Sequence, residues 1–140
     1  MRVTGTHVFT IDALLGPVVD VGPTPTGHRR VIPIVGGTVS GGLVGVVLPG
    51  GADWNLERPD GSTELWARYE LRLDDGAVVS VTNTAVHTAV APVPILTSPQ
   101  FDVGAGGPVD LRAGAYVGLL WPRLDEGRVR VEVHRLQADA

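Results

Sequence analysis

Seven glycines fall within the nineteen residues from Gly36 to Trp54, GGTVSGGLVGVVLPGGADW, with Val39, Leu43, Val44, Val46, Val47 and Leu48 set between them. Glycine has the most backbone freedom to lose on folding, so it weakens a strand interior. Such a density therefore marks a bulge, a sharp bend, or close approach of the backbone to a neighbour or ligand. The run breaks at Pro49-Gly50-Gly51 and then delivers Asp53 and Trp54, an acid beside an indole. It reads as a strongly curved barrel strand that ends at a rim, with Asp53 and Trp54 at the mouth.

The rest of the chain agrees with sheet. Nineteen glycines and eleven prolines in 140 residues argue against long helices, and valine dominates the apolar set. The clearest alternation puts Leu65, Ala67, Tyr69, Leu71 and Leu73 on one face and Glu64, Trp66, Arg68, Glu70 and Arg72 on the other. Asp74-Asp75-Gly76 closes it as a hairpin, and the return strand from Ala77 to Val90 places Asn83 and His87 on the face of Val79 and Val81. Pro59-Asp60-Gly61 and Asp125-Glu126-Gly127 read as further turns, with a bulge expected at Leu136, where the alternation of Val129, Val131 and Val133 breaks. Pro92 to Pro99 reads as a connection, Phe101 to Val103 as a short strand, and Val109 to Ala113 as the one place for a helical turn.

The expected fold is all-β: one domain over residues 1–140, a single antiparallel barrel of lipocalin or streptavidin style with about eight to ten strands. Closure removes exposed sheet edges. A two-sheet sandwich is the alternative.

Several function classes are excluded. The net charge is −4, lysine is absent, and the only basic cluster is His28-Arg29-Arg30, read as a solvated strand end. Nucleic acid is not expected as a partner. No apolar run approaches membrane-spanning length and no signal segment follows Arg2, so a cytoplasmic protein without a membrane partner is expected. Without cysteine there is no disulfide or thiol nucleophile, and His7, His28, His87 and His134 are too scattered for a metal site. No phosphate loop, dinucleotide fingerprint or nucleophile elbow occurs, so no metal or other cofactor is expected. The expected partner is a small molecule, with a homodimer allowed.

Several blocks carry a resemblance across nearly the whole chain. They are Gly27-His28-Arg29-Arg30, Gly36-Gly37 with Gly41, and Leu48-Pro49-Gly50-Gly51-Ala52-Asp53-Trp54. Arg58-Pro59-Asp60-Gly61, Ala67-Arg68-Tyr69-Glu70-Leu71 and Asp75-Gly76-Ala77 continue it, with a weaker tail in Ser98-Pro99-Gln100-Phe101 and Tyr116-Val117-Gly118. In these the chain resembles the bacterial and fungal family called domain of unknown function 3237, also uncharacterised protein family 0311. The resemblance implies a compact β-barrel with no generally assigned activity. The chain departs from the family pattern after Asn83, where a glycine is common, and at Pro108 to Ala113, which replaces an aromatic segment before the last hairpin.

The candidate catalytic residues are Asp53, Arg68 and His87, with Trp54, Glu64, Trp66, Tyr69 and Asn83 as candidate ligand-binding residues. Asp53 reads either as a general base or an anion partner at the rim, or as a turn residue satisfying backbone amides after Gly50-Gly51. Arg68 flanked by aromatics would hold an anionic oxygen if its face lines the barrel, and is an ordinary surface charge if it does not. The alternation favours outside; the resemblance, which includes Arg68 and Tyr69, pulls the other way. His87 reads as a catalyst or as a partly buried structural histidine. Two functions remain: a cofactor-free cyclase or isomerase acting on a small polyketide-like or aromatic intermediate, or a small-molecule-binding barrel without chemistry. A barrel plugged by its own side chains is the third reading.

Overall fold

The computed structural model describes residues 1–139. Ten strands account for most of them: β1 (Arg2–Leu15), β2 (Val19–Thr24), β3 (Gly27–Gly41), β4 (Gly45–Val47), β5 (Gly51–Glu57), β6 (Thr63–Leu73), β7 (Val78–His87), β8 (Ile95–Val103), β9 (Tyr116–Arg123) and β10 (Arg128–Asp139). All pair antiparallel in one sheet, and β1 pairs with both β10 and β3, which closes the sheet into a barrel. Among the described residues the only helical pieces are two 3-10 turns, Val109–Arg112 and Leu124–Glu126.

The ten strands make eight staves, because two staves are broken. β2 and β1 lie along the same side of β3, on its first and second halves, and are separated at Gly16-Pro17-Val18. β5 and β4 share the other side of β3 in the same way, separated at Leu48-Pro49-Gly50. Proline has no N–H to give to a ladder, so it sits where a stave is interrupted. The glycine-rich stretch is thus not one strand ending at a rim. It supplies the second half of β3, all of β4 and the start of β5, and Asp53 and Trp54 lie within β5.

Turn chemistry sets the hairpins as the sequence suggests. Gly76 has φ 92° behind Asp75, whose carboxylate accepts the Ala77 amide at 2.9 Å. Gly61 has φ 86° with Asp60 accepting the Ser62 amide at 2.9 Å. The bulge expected at Leu136 lies elsewhere. Leu136 pairs regularly with Gly5, and the register shift falls in β1 between His7 and Phe9. β8 is also longer than the expected strand and includes Pro99. Its ladder to β9 ends at Thr97, so the Pro99 nitrogen is not required as a donor there.

One end of the barrel is solid. Phe9, Ile11, Leu71, Val79, Val81 and Val133 are fully buried and fill it. Where β8 leaves β9, the 3-10 turn Val109–Arg112 covers the gap with its buried Leu111, and Tyr116 stacks edge-on against Phe101 at 5.3 Å. The Tyr116 hydroxyl donates to the Asp110 carbonyl at 2.7 Å and tethers that turn. The segment that departs from the family pattern therefore closes the solid end and does not line the open one.

Candidate functional site

The other half of the barrel encloses a cavity of about 440 Å³. Its walls are mainly aliphatic, including Ile32, Ile34, Leu65, Leu120 and Val131. Period-two geometry decides which polar groups enter it. On β5, Asp53 and Asn55 point in while Trp54 points out; on β6, Thr63 and Tyr69 point in; on β7, Asn83 and His87 point in.

Register arranges these groups in tiers. Ile32, Asp53, Ala67 and Asn83 form one cross-strand row over β3, β5, β6 and β7. Tyr69 lies one tier toward the solid end, opposite Val81, and His87 lies toward the mouth opposite Thr63. Space at the Asp53 tier comes from small side chains. Ala67 contributes only a methyl, and Gly51 lets Tyr69 fold against β5, since a Cβ there would lie 2.5 Å from the Tyr69 Cβ.

Asp53 is held from two sides. The β5–β6 ladder pairs Asp53 with Ala67 and Leu56 with Glu64 but omits Trp54 with Trp66 and Asn55 with Leu65. Into this gap the Asp53 carboxylate reaches across and accepts the Trp66 amide at 3.0 Å, while Asn55 Nδ2 lies 3.4 Å from its other oxygen. Burial raises the Asp53 carboxyl above its ordinary value of 3.8, against the opposing pull of the Trp66 amide, Asn55, His87 and Arg29.

Three further polar groups line the cavity walls: Tyr69, His87 and Asn83. Burial pushes the Tyr69 phenol up, so it stays protonated. His87 Nδ1 lies 3.1 Å from the Thr88 carbonyl, and in the tautomer that donates there Nε2 is free to accept. Asn83 is 2% exposed, and its Oδ1 has no partner among the described residues. An orphaned buried amide costs stability, so its retention on a cavity wall is informative.

The structure separates the expected site residues into two groups. Asp53, Tyr69, Asn83 and His87 meet in the cavity. Arg68, Trp54, Trp66 and Glu64 do not line it: they alternate to the outer face, and the proposed Asp53–Arg68 pair facing one cavity is not formed. Outside, Trp54 and Trp66 stack edge-on at 5.6 Å over the ladder gap, and Glu64 pairs with Arg58 at 3.0 Å.

The arginine at the cavity is Arg30, which lies 3.5 Å from Glu57 across β3 and β5. It came from the cluster read as a solvated strand end. Its parity with Ile32 and Ile34 was the available signal, and the same parity links Asn55 to Asp53. No group of three or more His, Asp or Glu side chains suited to a metal ion occurs among the described residues.

Comparison with known proteins places this geometry in a family. The model of the family described as "Protein of unknown function (DUF3237)" matches residues 3–136. A UPF0311 protein of Rhodopseudomonas palustris is 38% identical over 148 aligned positions, covering 93% of this chain and 94% of the relative. A crystal structure of a conserved protein of unknown function from R. palustris superposes with a TM-score of 0.87 at 36% identity, covering 98% of this chain and 99% of that one. A β-barrel-like protein of Acinetobacter baumannii gives a TM-score of 0.86 at 24% identity, covering 98% of both chains. An enzyme of Penicillium herquei gives 0.71 at 21% identity, covering 94% of this chain and 93% of that one, a likeness of fold alone.

Proposed function

The chain belongs to the DUF3237 family, whose function is unknown, and from that premise we propose that its barrel is a cofactor-free acid–base catalyst, a cyclase or isomerase acting on a small polyketide-like or aromatic intermediate. The observation that carries this is Asp53: a carboxylate raised by burial, fixed by the Trp66 amide, and facing an apolar cavity that also holds His87. A carboxylate whose protonation equilibrium lies nearer neutrality is a better general base and conjugate acid than a solvated one. At about 440 Å³ the cavity falls within the usual range for small-molecule pockets, and its apolar walls suit a compact ring compound. Asp53 takes a proton from an acidic C–H or O–H of the bound molecule and returns it at another position, with His87 Nε2 as the second proton carrier at the mouth. The net change is a shifted double bond or a closed ring, without oxidation or reduction. That a distant protein of this fold is an enzyme supports chemistry in such a barrel, though fold does not assign it.

The test uses 2-tetralone, a bicyclic ketone with acidic α-protons, in deuterated buffer. The wild-type protein accelerates α-exchange read by proton resonance, and Asp53→Asn loses at least about a hundredfold of that acceleration. Binding without exchange in the wild type would sink the catalytic reading.

One observation favours the second reading, a binding barrel without chemistry. The Asp53 carboxylate also fills a gap in the β5–β6 ladder, which is a structural task complete in itself. In that case Asp53→Asn leaves ligand affinity unchanged, since an amide oxygen can still accept from the Trp66 amide, though more weakly than a carboxylate.

A further inference from the structure

We propose that Asn83 is the anchor for the ligand's oxygen and that the molecule held between Asn83 and Asp53 is an enolisable ketone or its enol, bound with that oxygen on the β7 wall. This rests on the reading of the cavity as an acid–base site and names the group it acts on. Three features of the wall lead to it.

The first is the orphaned amide. Asn83 is 2% exposed, lines the cavity, and has an unpartnered Oδ1. A side-chain carboxamide carries both a donor and an acceptor, and rotation by half a turn exchanges them. It can give an N–H to a ketone oxygen or accept the O–H of the corresponding enol, so it serves both tautomers of one molecule. A carboxylate or an ammonium in this place would serve only one.

The second is position. Asp53 and Asn83 are in the same row, two strands apart, with Ala67 between them. Two inter-strand steps separate their backbones by about 10 Å. The methyl of Ala67 leaves the space over β6 empty. A hydrogen-bond length of about 3 Å from each side chain leaves room for one carbonyl group and the carbon beside it. The proton that Asp53 reaches is thus the one made acidic by the oxygen that Asn83 holds. Deprotonation moves the C–H electron pair into a new C=C bond and the carbonyl pair onto oxygen, where the Asn83 N–H meets the developing charge.

The third is the surrounding wall. Tyr69, one tier below and on the intervening strand, is neutral and buried, while Leu65 and Ile32 keep the tier apolar. A hydrogen bond to the developing oxyanion is worth more in such surroundings than in water.

The experiment compares 2-tetralone with tetralin, its hydrocarbon analogue, by calorimetric titration of wild type, Asn83→Leu, Asn83→Ala and Arg68→Ala. The expected result is that the ratio of the two dissociation constants shifts against 2-tetralone by about tenfold in both Asn83 variants. Arg68→Ala, which lies on the outer face, keeps the wild-type ratio. Thermal melting separates this from misfolding, because removing an orphaned amide leaves Asn83→Leu at least as stable as the wild type. An unchanged ratio in the Asn83 variants overturns the anchor while leaving the cavity a binding site. Failure of the wild type to bind either compound overturns the reading of the cavity itself, and this inference with it.

Discussion

Asp53 Oδ1 stands 3.0 Å from the Trp66 amide and replaces the backbone acceptor that β5 withholds at that point of the ladder. One carboxylate therefore completes the sheet with one oxygen and turns the other toward Asn55 and the cavity. An acid fixed through the backbone of a neighbouring strand has little freedom to rotate, which is what positioned proton transfer requires.

That placement has a pH signature. The folded Asp53 carboxyl sits above its ordinary value of 3.8 because burial disfavours the charge. The folded state therefore holds the proton more tightly than the unfolded chain. Its stability contribution is full below the unfolded value and is lost as pH rises through the raised folded value. Asp53→Asn removes this titration. Urea midpoints of the two proteins should agree near pH 3.5 and separate as pH rises toward 7, with the variant the more stable. Parallel curves would show that Asp53 is not desolvated in the fold.

Arg68 supplies a test of which face is inside. It is exposed on the outer side of β6, opposite Thr82 and Ala52. Arg68→Ala should change stability by no more than about 0.5 kcal/mol and leave 2-tetralone binding untouched. A variant that folds but loses the ligand would place the site on the outer surface.

Gly51 tests the packing that opens the Asp53 tier. A methyl there meets the Tyr69 backbone at 2.8 Å and its Cβ at 2.5 Å. Gly51→Ala should cost about 1 to 3 kcal/mol in urea unfolding and displace Tyr69 into the cavity, weakening ligand binding at the same time.

Thr97 is the control for Asn83. Its Oγ1 is also buried without a partner, yet the residue packs against Gly118 and does not line the cavity. Thr97→Val keeps the shape and removes the orphaned hydroxyl. It should be neutral or stabilising by about 1 kcal/mol and leave ligand selectivity unaltered.

The residues explain how far sequence reasoning could reach. Leu65 to Leu73 alternate so strictly that the outward course of Arg68 and Trp66 was readable from that strand, and the family block containing Arg68 pulled against it. The inward course of Tyr69, Asn83 and His87, each in a different tier, followed from parity on two well-defined strands. Arg30 was missed because a charged cluster beside a turn looks solvated, although it shares its face with Ile32 and Ile34. The broken staves were illegible for another reason. A Pro-Gly step signals an interruption, but only the pairing of both halves with β3 shows that the chain resumes the same course beyond it. The bond from Trp66 to Asp53 had no local signature, since it joins residues thirteen apart through a ladder gap.

The pairing of β1 with β10, from Arg2 opposite Asp139 to Leu14 opposite Arg128, has a consequence for synthesis. Every other seam of the barrel joins segments that leave the ribosome close together, so hairpins from β3 onward can form as they emerge. The last seam joins the earliest strand to the latest one. Until β10 is free, β1 carries an open edge and the cavity lacks the wall that Val129 and Val131 supply. The barrel can close only once β10 pairs with β1, and a chain arrested before Arg128 keeps an unsealed sheet edge open to other chains.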